Sequence, residues 1–188
     1  YEAKLEQSRI KLEKKEAELN ALQSQMNPHF LYNTLESIRM RSVEKGEKET
    51  AEMIKRLTRS FQRMSRFRQE WVTVAEEVSF IKDFLAIQEY RFGPEFQYTL
   101  AVDPAVAEWK IPKMVIQPFV ENACLHGIEG ADHLGKVEIT LRPMGKKLYC
   151  TVKDNGIGMA AEKLRRLWAD IKAEEPGEGN NIAIRNIY

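Results

Sequence analysis

Cysteine is scarce in these 188 residues: there are two, Cys124 and Cys150, with no CxxC spacing. That leaves no disulfide framework and no zinc-ligand pattern, and it points to a reducing compartment. Net charge is nearly absent as well, at +1 from 29 basic and 28 acidic side chains. No global field therefore argues for a nucleic-acid partner. Nothing approaches the roughly 18 consecutive apolar residues of a membrane span, and no signal peptide is visible. What is there is 43% hydrophobic and 30% charged residues, enough for a packed core in one or two helix-rich domains.

Residues 1–26 hold no glycine or proline, and open in mid-pattern as if cut from something longer. Leu5, Leu12, Leu19 and Met26 recur every seven residues, with Leu22 at one intermediate position and Ser8 and Lys15 at others. This is a weak heptad seam, suited to a parallel two-helix linker in a homodimer; a surface helix packed on its own domain is the alternative. Pro28 then either kinks one long helix or, with Asn27 as cap, restarts it; apolar residues on both sides favour the kink. Leu31, Leu35 and Ile38 form a stripe from which His29 points away. Gly46 breaks the pattern. A second helix from Glu47 to about Glu70 carries Ile54, Leu57, Phe61 and Met64. Its Arg56, Arg59, Arg63 and Arg66 lie off that stripe, as a solvated basic face or a dock for an acidic partner. A helical hairpin from each of two chains would make a four-helix bundle.

From residue 71 the pattern changes. Thr73-x-x-Glu76 is a capping box, opening a helix through Val78, Ile81, Leu85 and Gln88 that Gly93-Pro94 ends. Phe96, Tyr98, Leu100 and Val102 alternate as in a half-buried strand, before a turn at Asp103-Pro104. Residues 113–126 form an apolar helix with a kink at Pro118 and a stop at Gly127. Val137, Ile139 and Leu141 pair with Leu148, Cys150 and Val152 across a turn at Gly145, and a helix runs from about Ala160 to Lys172. The expected result is one sheet with helices on one face.

Three stretches carry chemistry. NPHFLYN places one reachable imidazole, His29, on a helix. In IQPFVENACLHG, Gln117 and Glu121 are four apart, as are Asn122 and His126, giving a polar edge on an apolar helix. Oxygen-bearing side chains there suit Mg²⁺, although a helix end rich in caps would look the same. In DNGIG, Asp154 closes a strand, where a carboxylate can accept from an exocyclic amine; Gly156 and Gly158 let the backbone approach a flat ring.

In this order, these motifs resemble the bacterial sensor histidine kinases of the LytS-like type, whose catalytic part belongs to the GHKL ATPase superfamily. The resemblance runs from about Leu19 to Tyr188. It implies an α+β chain: a coiled-coil signalling helix over 1–26, a dimerisation and phosphotransfer domain over 19–70, and a GHKL (Bergerat-type) α/β sandwich over 71–188. By the same resemblance His29 is the phosphoacceptor, Glu121 a candidate base and Asn122 the Mg²⁺-binding asparagine. Asp154 reads adenine, and His126, Gly156, Gly158 and Asn186 join the nucleotide site. ATP and Mg²⁺ are the implied cofactors, and the phosphoryl group passes to an aspartate of a response regulator.

The family's closing glycine box reads roughly GIGLRN, and here Asn181-Ile182-Ala183-Ile184-Arg185-Asn186 stands in its place. A lid is expected before Ile182 and a hinge at residues 69–75. The family pattern continues past Tyr188 with another helix and strands, so the catalytic domain is expected to be incomplete. The parent protein is expected to be anchored in the inner membrane upstream of residue 1, with this portion cytoplasmic. Two other readings stay open: a non-catalytic dimeric scaffold, and a GHKL ATPase without a histidine acceptor.

Overall fold

The computed structural model describes residues 28–64, 70–128 and 134–172. The expected coiled coil of residues 1–26, the stretch before Ile182 and the box containing Asn186 lie outside the described residues. The chain divides into two compact units between Thr58 and Arg59.

In the first unit, α1 (Pro28–Glu44) is followed by α2 (Lys48–Met64), whose last turns belong to the second unit. Gly46 breaks the pattern for a definite reason. Its φ of 77° lets the Glu47 N–H reach the Ser42 carbonyl while its own N–H reaches Val43, the two hydrogen bonds of a Schellman motif. On α1, Leu31 and Leu35 are half-buried as expected, but Ile38 is 47% exposed and the inward face continues through Ser42 instead. On α2, Ala51 and Thr58 are buried. Thr58 can be buried because its hydroxyl donates to the Ile54 carbonyl. The basic face is not uniformly solvated: Arg63 donates to Ser79 Oγ (3.0 Å) and lies 3.8 Å from the Asp83 carboxylate.

The second unit opens with β1 (Trp71–Thr73), antiparallel to β3 (Lys110–Pro112) in the register Val72 with Ile111. Trp71 to Thr73 therefore belong to a sheet and not to a hinge, which corrects that part of the expectation. Thr73 caps α3 (Val74–Phe92): its hydroxyl accepts from the Glu76 N–H, and the Glu76 carboxylate accepts from the Thr73 N–H at 2.7 Å. Gly93, at φ 61°, ends α3 as expected.

A second sheet has the order β2-β4-β5, with β2 (Phe96–Val102) parallel to β4 (Gly135–Met144) and β4 antiparallel to β5 (Lys147–Asp154). Gly145, at φ 61° in the first position of the two-residue turn, makes the β4–β5 hairpin. Along β4, Val137, Ile139 and Leu141 are buried while Lys136, Glu138, Thr140 and Arg142 are exposed. The buried face meets Val78, Ile81 and Leu85 of α3 and Val120 and Cys124 of the segment before β4 in one core. One face of this sheet thus carries α3 and the segment before β4, as the alternation requires; the single sheet expected is instead two, because β1 and β3 pair with each other and not with β2. A last helix, α5 (Ala161–Lys172), follows. Among the described residues, no helix is long and apolar enough to cross a membrane.

Candidate functional site

The helix expected over 113–126 is shorter and tighter at one end, wider at the other. Residues 113–116 form a turn in which Met114 takes a φ of 59°. Then α4 (Gln117–Asn122) begins, and it passes into a π-helical turn at Ala123–Ile128. Pro118 is not a kink: it stands in the first turn, where its missing N–H costs no helical hydrogen bond. Asn122 is the last α-helical residue, and π turns of this kind recur at functional sites. The expected four-residue stacking of Asn122 on His126 presumes α geometry, which ends before His126. The Gln117–Glu121 pair does form, Gln117 Nε2 donating to Glu121 Oε1 at 3.0 Å.

The start of α4 has no side-chain cap of its own. Its first N–H, with two from the turn before it, is taken by Glu77 of α3, only 2% exposed. One Glu77 oxygen accepts from the N–H groups of Ile116 (3.1 Å) and Gln117 (3.3 Å), and the other accepts from Met114 (3.0 Å). Beside this cap lies a cavity of about 220 Å³, bordered by Arg63, Glu76, Lys113 and Met114, which shares no residue with the Asp154 loop.

At its far end the π turn meets that loop. A Cβ on Gly127 would lie 2.6 Å from Asp154 Oδ1, and a Cβ on Gly156 would clash with the Gly127 carbonyl. The Ile157 N–H donates to that carbonyl at 2.9 Å, and the Gly156 N–H donates to Asp154 Oδ1 at 2.9 Å. Gly127 is thus a contact glycine inside the π turn, not the helix stop expected of it. Asn155 fixes the loop to the start of β4, accepting from the Lys136 N–H and donating to the Leu134 carbonyl. Gly158, at φ 67°, has open space where a Cβ would stand.

Cys124 is fully buried beside both motifs. Burial, followed by the negative charges of Asp154 and Glu121, pushes its thiol up to about 12. The Gly127–Gly156 contact brings the end of the segment that carries Glu121 and Asn122 to the loop that carries Asp154. Glu121 and Asn122 are half-buried, and Asp154 is exposed. Of the donors expected to meet the metal, Asn122 offers one hard amide oxygen on a half-buried helix end. A sparse oxygen set suits Mg²⁺, which keeps water and phosphate as its remaining ligands.

His29 stands exposed in the first turn of α1, its Nδ1 3.2 Å from Asn33 Nδ2. Sequence reasoning passed over both Asn33 and Glu77. Asn33 had a local signal, four residues beyond His29 on a helix. Glu77 had none, because its partners lie about 40 residues away.

Residues 17–96 match the family model for histidine kinases. Residues 110–185 match the model for histidine kinase-, DNA gyrase B- and HSP90-like ATPases. The chain is 36% identical over 145 residues to the sensor histidine kinase YesM of Bacillus subtilis, covering 77% of this chain and 25% of that protein. It is 34% identical over 173 residues to the sensor histidine kinase YpdA of Escherichia coli (92% and 29%). Against the sensor protein LytS of Enterococcus faecalis the figure is 30% over 169 residues (89% and 28%). It spans between a quarter and a third of the length of these curated relatives. With the histidine kinase model over residues 17–96, the ATPase model over residues 110–185, and relatives of one kind along most of its length, this chain belongs to the LytS-like sensor histidine kinases with a GHKL ATPase domain.

Proposed function

We propose that this chain is the kinase core of a homodimeric sensor, which phosphorylates His29 from ATP and passes the phosphoryl group to an aspartate of a response regulator. The observation that carries this reading is the backbone-on-backbone packing of Gly127 against Gly156, which joins the Glu121–Asn122 helix to the Asp154 loop. A metal-side motif and a base-side motif fused in this way suit one bound nucleotide. The domain assignment follows: residues 19–70 dimerise and carry the acceptor, and 71–188 bind ATP.

In the reaction, a ring nitrogen of His29 bonds to the γ-phosphorus as the bond to the bridging oxygen breaks, and ADP leaves with that electron pair. The displaced ring proton goes to a base, for which Glu121 is the candidate. Mg²⁺, held by the Asn122 amide oxygen together with the nucleotide phosphates, would neutralise phosphate charge. Asp154 accepts from the adenine amine, Gly156 and Gly158 admit the ring, and His126 and Asn186 complete the nucleotide site. Positioning and charge neutralisation account for most of phosphoryl-transfer catalysis, which is what such a residue set offers. The parent protein is proposed to hold this part on the cytoplasmic side of the inner membrane.

The test is incubation with radiolabelled ATP and Mg²⁺ of wild type, His29→Ala and Asn122→Ala. Acid-labile label in wild type that disappears in both variants is the expected result. Nucleotide binding without incorporation would replace this reading with a signalling scaffold. Steady phosphate release untouched by His29→Ala would replace it with an ATPase.

A further inference from the structure

We propose that Glu77 is a positioning residue for the metal side of the nucleotide site, acting through α4. The proposal rests on the reading of Glu121 and Asn122 given above. An α-helix leaves its first N–H groups without intrahelical partners, and they attract negative charge. In α4, Pro118 removes one of those donors, and the Phe119 and Val120 N–H groups turn back to the Ile116 carbonyl. The Gln117 donor remains, together with those of Ile116 and Met114, and all three converge on Glu77.

The convergence depends on Met114. A residue with positive φ among ordinary ones curls successive N–H groups into a concave anion-binding nest. Such nests commonly receive phosphate; this one is filled by the chain's own carboxylate, 37 to 40 residues earlier on α3. Both oxygens are engaged, so no neutral side chain of this size can reproduce the cap: an amide turns an NH₂ against one set of donors.

The leverage comes from how short α4 is. Its six residues include both Glu121 and Asn122. At one end Glu77 sets the helix start, and at the other Gly127 and Gly156 lock the π turn to the Asp154 loop. The Asp154 loop has separate anchors in Lys136 and Leu134. Loss of Glu77 therefore tilts the metal-side residues while leaving the adenine-side loop held.

The test compares wild type, Glu77→Gln and Glu77→Asp, with Thr73→Ala as a control that weakens the same helix α3 away from the site. ADP affinity is measured in Mg²⁺ and in EDTA, with amide hydrogen exchange at Met114, Ile116 and Gln117 without nucleotide. Glu77→Gln should lose roughly tenfold in the Mg²⁺-dependent part of the affinity, the scale of a lost charge-assisted hydrogen bond. Its affinity in EDTA should stay near wild type, and the three amides should exchange faster. Thr73→Ala should show neither change. If Glu77→Gln does not fold, Glu77→Asp, which keeps the charge but withdraws it by one methylene, is read in the same way. Equal losses with and without Mg²⁺, or unchanged exchange, overturn the positioning role. A wild type with no Mg²⁺-dependent affinity overturns the reading of the site itself, and is seen without any variant.

Discussion

Gly127 and Gly156 touch backbone to backbone: a side chain on Gly156 would have to occupy the space of the Gly127 carbonyl. Twenty-nine positions apart, they bring the end of the Asn122 helix to the Asp154 loop, and that contact sorts the glycines of this site into two kinds.

Gly156→Ala should force the loop off the π turn. A clash with main chain cannot be relieved by a rotamer change, so nucleotide affinity should fall at least about tenfold with a stability loss of roughly 2 kcal/mol or more. Gly158→Ala meets open space and carries only the strain of its positive φ, about 1 kcal/mol. Isothermal titration with ADP and thermal denaturation on both variants separate the two. Similar losses for both would mean that packing at Gly127 is not what the site requires.

The buried thiol makes stability sensitive to alkali. Cys124 has its folded value raised from 9.0 to about 12, so its neutral form is the one the fold accepts. The sign follows: this contribution is fully present below about 9, and is lost as pH rises through 12, with a limiting slope of about 1.4 kcal/mol per pH unit. Urea denaturation from pH 8 to 11 should show wild type losing stability faster than Cys124→Ala. Parallel curves would contradict the burial assigned to this thiol.

At the start of α3, Thr73→Ala should cost about 1 kcal/mol, the usual worth of such a cap. The Thr73 backbone N–H, with its hydroxyl as a lesser cause, holds the Glu76 carboxyl below its ordinary value. A depressed carboxyl contributes stability above its unfolded value and loses it as pH falls through the folded one. Glu76→Gln should therefore flatten the acid limb of the stability curve; an unchanged limb would remove Glu76 from the box.

The α1 helix exposes Phe30, Ile38, Met40 and Val43 within one chain, with Phe30 at 63%. In the proposed homodimer Ile38, on the same stripe as the half-buried Leu31 and Leu35, is covered. Burying one such side chain is worth roughly 1.5–3 kcal/mol, counted twice across a twofold axis. Ile38→Glu should thus weaken self-association by about a hundredfold or more, as sedimentation equilibrium would read. A dimer of unchanged affinity would place the interface elsewhere.

The segments read correctly from sequence were those whose cause is local. The Thr73–Glu76 box, the stop at Gly93, the alternation of β4 and the turn at Gly145 each follow from residues a few positions apart. So does the Gln117–Glu121 pair, whereas the four-residue spacing of Asn122 and His126 is lost to the π turn. The misreadings share one origin. Pro118 looked like a kink because Glu77, which caps the turn just before it, is distant in sequence; Gly127 looked like a stop because Gly156, which it touches, is distant too; Ile38 looked inward because a stripe alone cannot say where it ends. Sequence by itself determined the family and most of the local elements, because motif spacing and hydrophobic period are set by residues a few positions apart. Only the tertiary structure decided what holds Glu121 and Asn122 in place, because a buried carboxylate finds backbone donors through packing that no local pattern records.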